Sequence, residues 1–184
     1  APKQYDFIAP REVLAELESL TQQSRYRGAD SPAERKRREE PLDTLARLCA
    51  GHGWLARGDI QEAFGRYWGE FGNLDRAIDC YRAAQSAQDG NATLKGAEQL
   101  VNMLARKADA LLRTRAARTA DATDVKANRT RAGELLDEAE ALIQKLLAIG
   151  PTAERYSMLG SALKRRLPLI DDGALDAALQ KVAE

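Results

Sequence analysis

Short runs of helix-breaking residues divide this chain. Gly58-Asp59, Gly72-Asn73, Asp89-Gly90-Asn91 and Gly150-Pro151 interrupt it, and between the breaks apolar residues recur at spacings of three and four. Val13, Leu14, Leu17 and Leu20 form one such stripe, and Leu42, Leu45, Leu48 and Cys49 form another. At 3.6 residues per turn these spacings gather side chains on one helix face. No segment shows the period-two alternation of a half-buried strand. The expected fold is all-α, built of antiparallel hairpins with short turns.

Composition narrows the possibilities further. The chain has 184 residues, enough for one domain or one compact array. Alanine, leucine, glutamate and arginine dominate, which favours helix on propensity alone. Lysine plus arginine number 28 and aspartate plus glutamate 28, so no global field draws the protein to nucleic acid or to an anionic membrane. No apolar run approaches the ~18 residues of a membrane span. Cys49 and Cys80 are too few and too far apart for a disulfide framework or a cysteine-rich zinc site and read as small semi-buried hydrophobes in a reducing cytosol. A cytoplasmic location follows as an expectation. The opening APKQYDFIAP reads as the interior of a longer polypeptide.

Caps and breakers set the expected boundaries. Pro10 opens the first helix; Ser31-Pro32 is an N-cap followed by a first-turn proline, leading into AERKRREE, a solvated helix or linker. Pro41 is expected to start the next helix, with Gly51-His52-Gly53 as its stop. Helices are then expected over 60–71 and 74–88, two longer ones over 93–118 and 123–149, and another from Thr152 to Leu167. Asp171 or Asp172 caps a last helix carrying Leu175, Ala178, Leu179 and Val182. Residues 1–40 are thus read as an N-terminal helical or linker segment, and 41–184 as a helical array.

Within that array, Gln61-x2-Phe64-Gly65-x2-Trp68 is followed at the right separation by Ala77-x3-Tyr81-x2-Ala84. The pair resembles the two halves of a tetratricopeptide repeat, with Asp89 where that family usually has proline. Looser copies are Ala139-x3-Ile143-x2-Leu146 before Pro151, and Tyr156-x2-Leu159-Gly160-x2-Leu163. Ala97, Leu100, Val101 and Leu104 serve as the core face of the remaining helix, and the resemblance covers about 59–167. It implies a helical-hairpin solenoid of about seven to nine helices. Small residues at Gly65 and Ala77 would let two helices cross closely, with the rings of Trp68 and Tyr81 beside the crossing.

The second hairpin departs from the family pattern. Trp68 and Ala77 lie nine residues apart, whereas Leu104 and Ala139 lie 35 apart, so 26 residues are added across one turn. Shared between two helices, that is roughly 20 Å of extra length at 1.5 Å per residue. The hairpin of about 93–149 is therefore expected to project, with a polar tip. Arg113, Arg115, Arg118, Lys126, Arg129 and Arg131 against Asp121 and Asp124 make that tip basic.

Chemistry-bearing motifs are absent. His52 is the single histidine, which excludes a histidine metal cluster or relay, and no glycine-rich phosphate loop or nucleophile elbow occurs. Glu134, Asp137, Glu138 and Glu140 read as a solvated face. The chain is read as a non-enzyme that needs no cofactor or metal. The repeat resemblance implies instead a groove lined by inner helices. Carried over by position, Glu62, Arg66 and Glu70 would face a partner from the first copy, Glu98, Asn102 and Arg106 from the second, and Ser157, Ser161, Lys164 and Arg165 from the third. Only Asn102 matches the family's carboxylate-gripping set, which speaks against a C-terminal-peptide specificity.

The resulting expectation is a protein-interaction or scaffolding module within a larger cytosolic protein, its partner a polypeptide segment or another domain of the same chain. Two alternatives stand beside it. One is nucleic-acid binding through the basic tip, opposed by zero net charge and by the lack of aromatic residues among those arginines. The other is a non-catalytic part of an enzyme, such as the arrays that resemble those joined to caspase-like peptidases of the CHAT type.

Overall fold

The computed structural model describes residues 9–25, 31–114 and 122–170. Among these residues there are seven α-helices, two 3-10 turns and no strand. The helices are α1 (Pro10–Arg25), α2 (Pro32–Gly51), α3 (Gly58–Glu70), α4 (Leu74–Ser86), α5 (Leu94–Thr114), α6 (Ala122–Ile149) and α7 (Ala153–Arg166). The all-α expectation holds. The proposed final helix and the centre of the basic tip, including Arg115, Arg118 and Asp121, lie outside the described residues. The chain divides into two compact units, Ala1–Gln99 and Leu100–Glu184.

In the N-terminal unit, α3 packs against α4 and against α1. The core gathers Val13 and Leu17 of α1, Leu42, Leu45 and Cys49 of α2, Ile60, Phe64, Tyr67 and Trp68 of α3, and Ala77, Ile78 and Tyr81 of α4. At Gly65 α3 comes close against α4: a Cβ there would lie 2.9 Å from Cδ2 of Tyr81. The helices cross as closely as they do because that side chain is absent. The turn between them follows from its sequence. Gly72 takes φ 82, which glycine adopts without a Cβ penalty, and Asn73 N–H donates to the Trp68 carbonyl at 2.9 Å. The Asn73 Oδ1 then accepts from Arg76 N–H at 3.3 Å, so one residue closes α3 and caps α4. The Arg76 guanidinium lies 4.4 Å above the Trp68 ring.

Asp89, standing where the repeat family has proline, has its own task. Its carboxylate accepts from Asn91 N–H and Nδ2 and, across 31 residues, from the Gly58 amide at the start of α3 at 3.2 Å. One side chain thus ties the end of this hairpin to its beginning and supplies an acceptor where α3 has free amides.

One boundary differs from the sequence reading. Pro41 does not start a helix; it lies inside α2, which runs without interruption from Pro32 to Gly51. An internal proline removes one donor and clashes with the preceding turn, at about 3 kcal/mol. Two features hold both halves helical. Upstream, Ser31 and Glu34 form a reciprocal capping box, with Ser31 N–H donating to Glu34 Oε2 at 2.9 Å. Downstream, Leu42, Leu45 and Cys49 are fully buried. The Tyr67 hydroxyl also reaches the Arg38 carbonyl at 3.5 Å, close to the turn the proline leaves incomplete.

In the C-terminal unit, α6 packs against α7. The core takes Val101, Leu104 and Ala108 from α5, Ala132, Leu136, Ala139, Ile143 and Leu146 from α6, and Met158 and Ala162 from α7. Where α3 and α4 have 13 residues each, α5 has 21 and α6 has 28. Arg155 was not singled out in the sequence, yet it is buried and closes α6. Its Nη1 donates to the carbonyls of Leu146, at 2.9 Å, and Gly150, placing a cation at a helix C-terminus. Tyr156, Gly160 and Leu163, read as packing positions of a third repeat, are instead outward-facing. Tyr156 is 59% and Leu163 43% exposed, and among the described residues nothing stands within 4 Å of a Cβ built on Gly160.

Candidate functional site

The C-terminal unit contains an open groove of about 420 Å³ lined by Asp109, Leu112 and Arg113 of α5 and by Ser161, Lys164, Arg165 and Pro168 at the end of α7. Helical spacing explains why these residues meet. Asn102, Arg106, Asp109 and Arg113 follow one another at intervals of four, three and four, one stripe along α5. Ser157, Ser161, Lys164 and Pro168 do the same along α7 and its following turn. Each helix turns its apolar side to the core, and the polar stripe borders the groove.

The charged groups in the groove are in different states. Arg113 Nη2 pairs with Asp109 Oδ2 at 2.8 Å, an i,i+4 pair along α5. Arg165 Nη1 donates to the Ser161 carbonyl at 3.1 Å and to the Ser161 hydroxyl, both neutral acceptors that orient the guanidinium and, among the described residues, leave its charge without a carboxylate. Lys164 is exposed and has no ion-pair partner among the described residues. By contrast Arg166, next in sequence, is held by Asp137 at 2.6 Å and by Glu140 at 3.1 Å. Those two acids belong to the cluster read as a solvated face, and they instead help bind α6 to α7. Leu112 and Pro168 add apolar surface.

The structure brings together Ser161, Lys164 and Arg165 of the residues anticipated from sequence, and places Asn102 and Arg106 earlier on the bordering α5 stripe. Asn102 is half-buried; Arg106 is exposed, its Nη1 3.8 Å from Met103 Sδ. Asp109, Leu112, Arg113 and Pro168 were missed. The signal that could have found two of them, Asp109 and Arg113, is the α5 stripe itself, continued toward the end of the helix.

Ser157 is exposed, one turn before Ser161 on α7; the other anticipated residues belong to the N-terminal unit. Glu62 is buried and does not face outward as expected: its carboxylate accepts from Thr93 N–H at 2.5 Å and from the Thr93 hydroxyl at 2.8 Å, capping the start of α5. Glu98 is also buried and pairs with Lys95 at 3.2 Å. Arg66 is exposed and pairs with Glu18 of α1 at 2.9 Å, and Glu70 is exposed at the end of α3. Desolvation opposes burying a carboxylate, and Glu62 and Glu98 lie inward where amides or a cation receive them.

Little in the described residues offers covalent chemistry. Burial pushes the Cys49 thiol up to about 11 and the Cys80 thiol up to about 12, so both are protonated at neutral pH and neither is a nucleophile there. His52 is exposed and stacks on Trp54 at 4.4 Å. No group of three or more histidine, cysteine, aspartate or glutamate side chains among the described residues is placed to hold a metal ion. Among the described residues no helix is long and apolar enough to cross a membrane. What the groove can do is hold a polar chain by hydrogen bonds and charge. Comparison with models of known protein families, with curated proteins and with solved structures found no match.

Proposed function

We propose that this chain is a protein-interaction module of tetratricopeptide type, a cytosolic scaffold part that holds a polypeptide segment in the groove between α5 and α7. The observation that carries this reading is the groove itself. Three residues anticipated on partner-facing positions, Ser161, Lys164 and Arg165, line one concavity with Arg113 and Asp109. Its volume falls in the range of ligand-holding clefts, roughly 300–1,000 Å³. A polar rim over Leu112 and Pro168 suits side-chain hydrogen bonding to an extended segment. The close α3–α4 crossing at Gly65 supports the repeat assignment, because it reproduces the packing reason for a small residue at that motif position.

The test is site-specific crosslinking in the full chain. A photo-crosslinking amino acid replaces Ser161 in one version and Gln144, an exposed α6 residue outside the groove, in another. Polypeptide adducts are expected from position 161 in extracts of the source cells, and not from 144. Adducts to nucleic acid, or none from 161, would move the function away from this groove.

A further inference from the structure

The groove's own charges define the partner more narrowly, and this step rests on the reading just given. Lys164, Arg165 and Arg166 are three consecutive cations in the last turn of α7. Cations there complement the helix dipole, but that effect is small at exposed sites and does not require a groove. The decisive difference lies in their partners. Arg166 receives two carboxylates from α6, Asp137 and Glu140. Lys164 and Arg165 line the groove, where among the described residues the one acid, Asp109, is already taken by Arg113. Arg165 is also pre-oriented by the neutral Ser161 acceptors. A guanidinium held in place loses less side-chain entropy when a carboxylate arrives.

We infer that the groove selects an acidic polypeptide segment, whose Asp or Glu carboxylates pair with Lys164 and Arg165 over the apolar patch of Leu112 and Pro168. A polyphosphate backbone fits less well. Among the described residues no aromatic lines the groove on which a base could stack, and zero net charge supplies no long-range attraction.

The experiment is fluorescence anisotropy on the full chain at ~0.15 M salt. The probes are a labelled ten-residue Glu/Asp-rich peptide, its Gln/Asn counterpart and a single-stranded DNA of ten nucleotides. The acidic peptide is expected to bind about tenfold or more tightly than either control, a difference near ~1.4 kcal/mol. Lys164→Glu and Arg165→Gln should each weaken it several-fold, Lys164→Arg should restore most of the affinity, and Arg131→Glu, outside the groove, should leave it unchanged. Far-UV circular dichroism of each variant establishes that the fold survives. Equal binding of the Gln/Asn peptide overturns the acidic selectivity while leaving a peptide groove in place. Tighter binding of DNA overturns both this inference and the reading beneath it. Failure of all three probes also overturns the acidic assignment, and the crosslinks from position 161 then decide separately whether the groove binds polypeptide at all.

Discussion

Two side chains hold backbone ends that the helices leave open, and each can be tested singly. Arg155 is buried with its guanidinium on the carbonyls of Leu146 and Gly150. Arg155→Ala removes the donors from buried acceptors, and a loss of about 1–3 kcal/mol is expected in urea denaturation. A variant as stable as the parent would mean that water replaces the guanidinium without cost. Asp89 is the pH-sensitive counterpart. Backbone donation from Asn91, then Asn91 Nδ2 and the Gly58 amide, hold its carboxyl below the ordinary carboxylate value. A depressed folded pKa stabilises the fold above the unfolded value and loses that contribution as pH falls through the folded one. In a carbon-detected NMR titration Asp89 should therefore protonate at lower pH than an unstructured aspartate, and Asn91→Ala should move its midpoint up. An ordinary midpoint in the parent chain would show that these bonds do not form in solution.

Between elements, the matching glycines of two repeat-like segments make opposite demands. Gly65 faces the Tyr81 ring at a distance no Cβ tolerates, whereas Gly160 faces open space. Gly65→Ala should cost about 1–3 kcal/mol through overpacking, reduced by the helix propensity that alanine adds. Gly160→Ala meets no neighbour and should stabilise by up to about 1 kcal/mol, since glycine is that much poorer in a helix interior. Thermal melts of the two variants should shift in opposite directions. A shift in the same direction would indicate that one of these glycine environments differs in solution. Pro41 carries the same lesson in reverse. Its ring marks a helix start by local chemistry, but the burial of Leu42, Leu45 and Cys49 carries α2 across it.

For the molecule as a whole, charge balance sets the solution behaviour. With a sequence pI near 6.9, self-repulsion is least near neutral pH. Low-salt solubility is therefore expected to pass through a minimum near that pH and to rise on either side. A flat profile would mean that opposite charges are too finely interspersed to drive association. The far-UV circular dichroism spectrum should show helix without a strand contribution, in keeping with the described residues.

Local chemistry made much of this protein readable before its structure. Three- and four-residue spacing, the Gly72-Asn73 turn, the Ser31 cap and the Gly150-Pro151 stop depend on neighbours in sequence, and the helices they delimit are those observed within a few residues. That Gly65 sits at a close approach of two helices was legible too, although Tyr81, expected beside the crossing, is the residue that faces it. Partnership across long separations was not. Glu62 looked like a groove residue and became the cap of α5 because Thr93 is brought to it in space. Glu140 and Asp137 were read only as a solvated face and also pair with Arg166, and the Asp89 carboxylate accepts from an amide 31 residues away. Whether a charged side chain faces solvent, a neighbour or a groove depends on which helix the tertiary fold lays beside it, and helical periodicity carries no record of that neighbour.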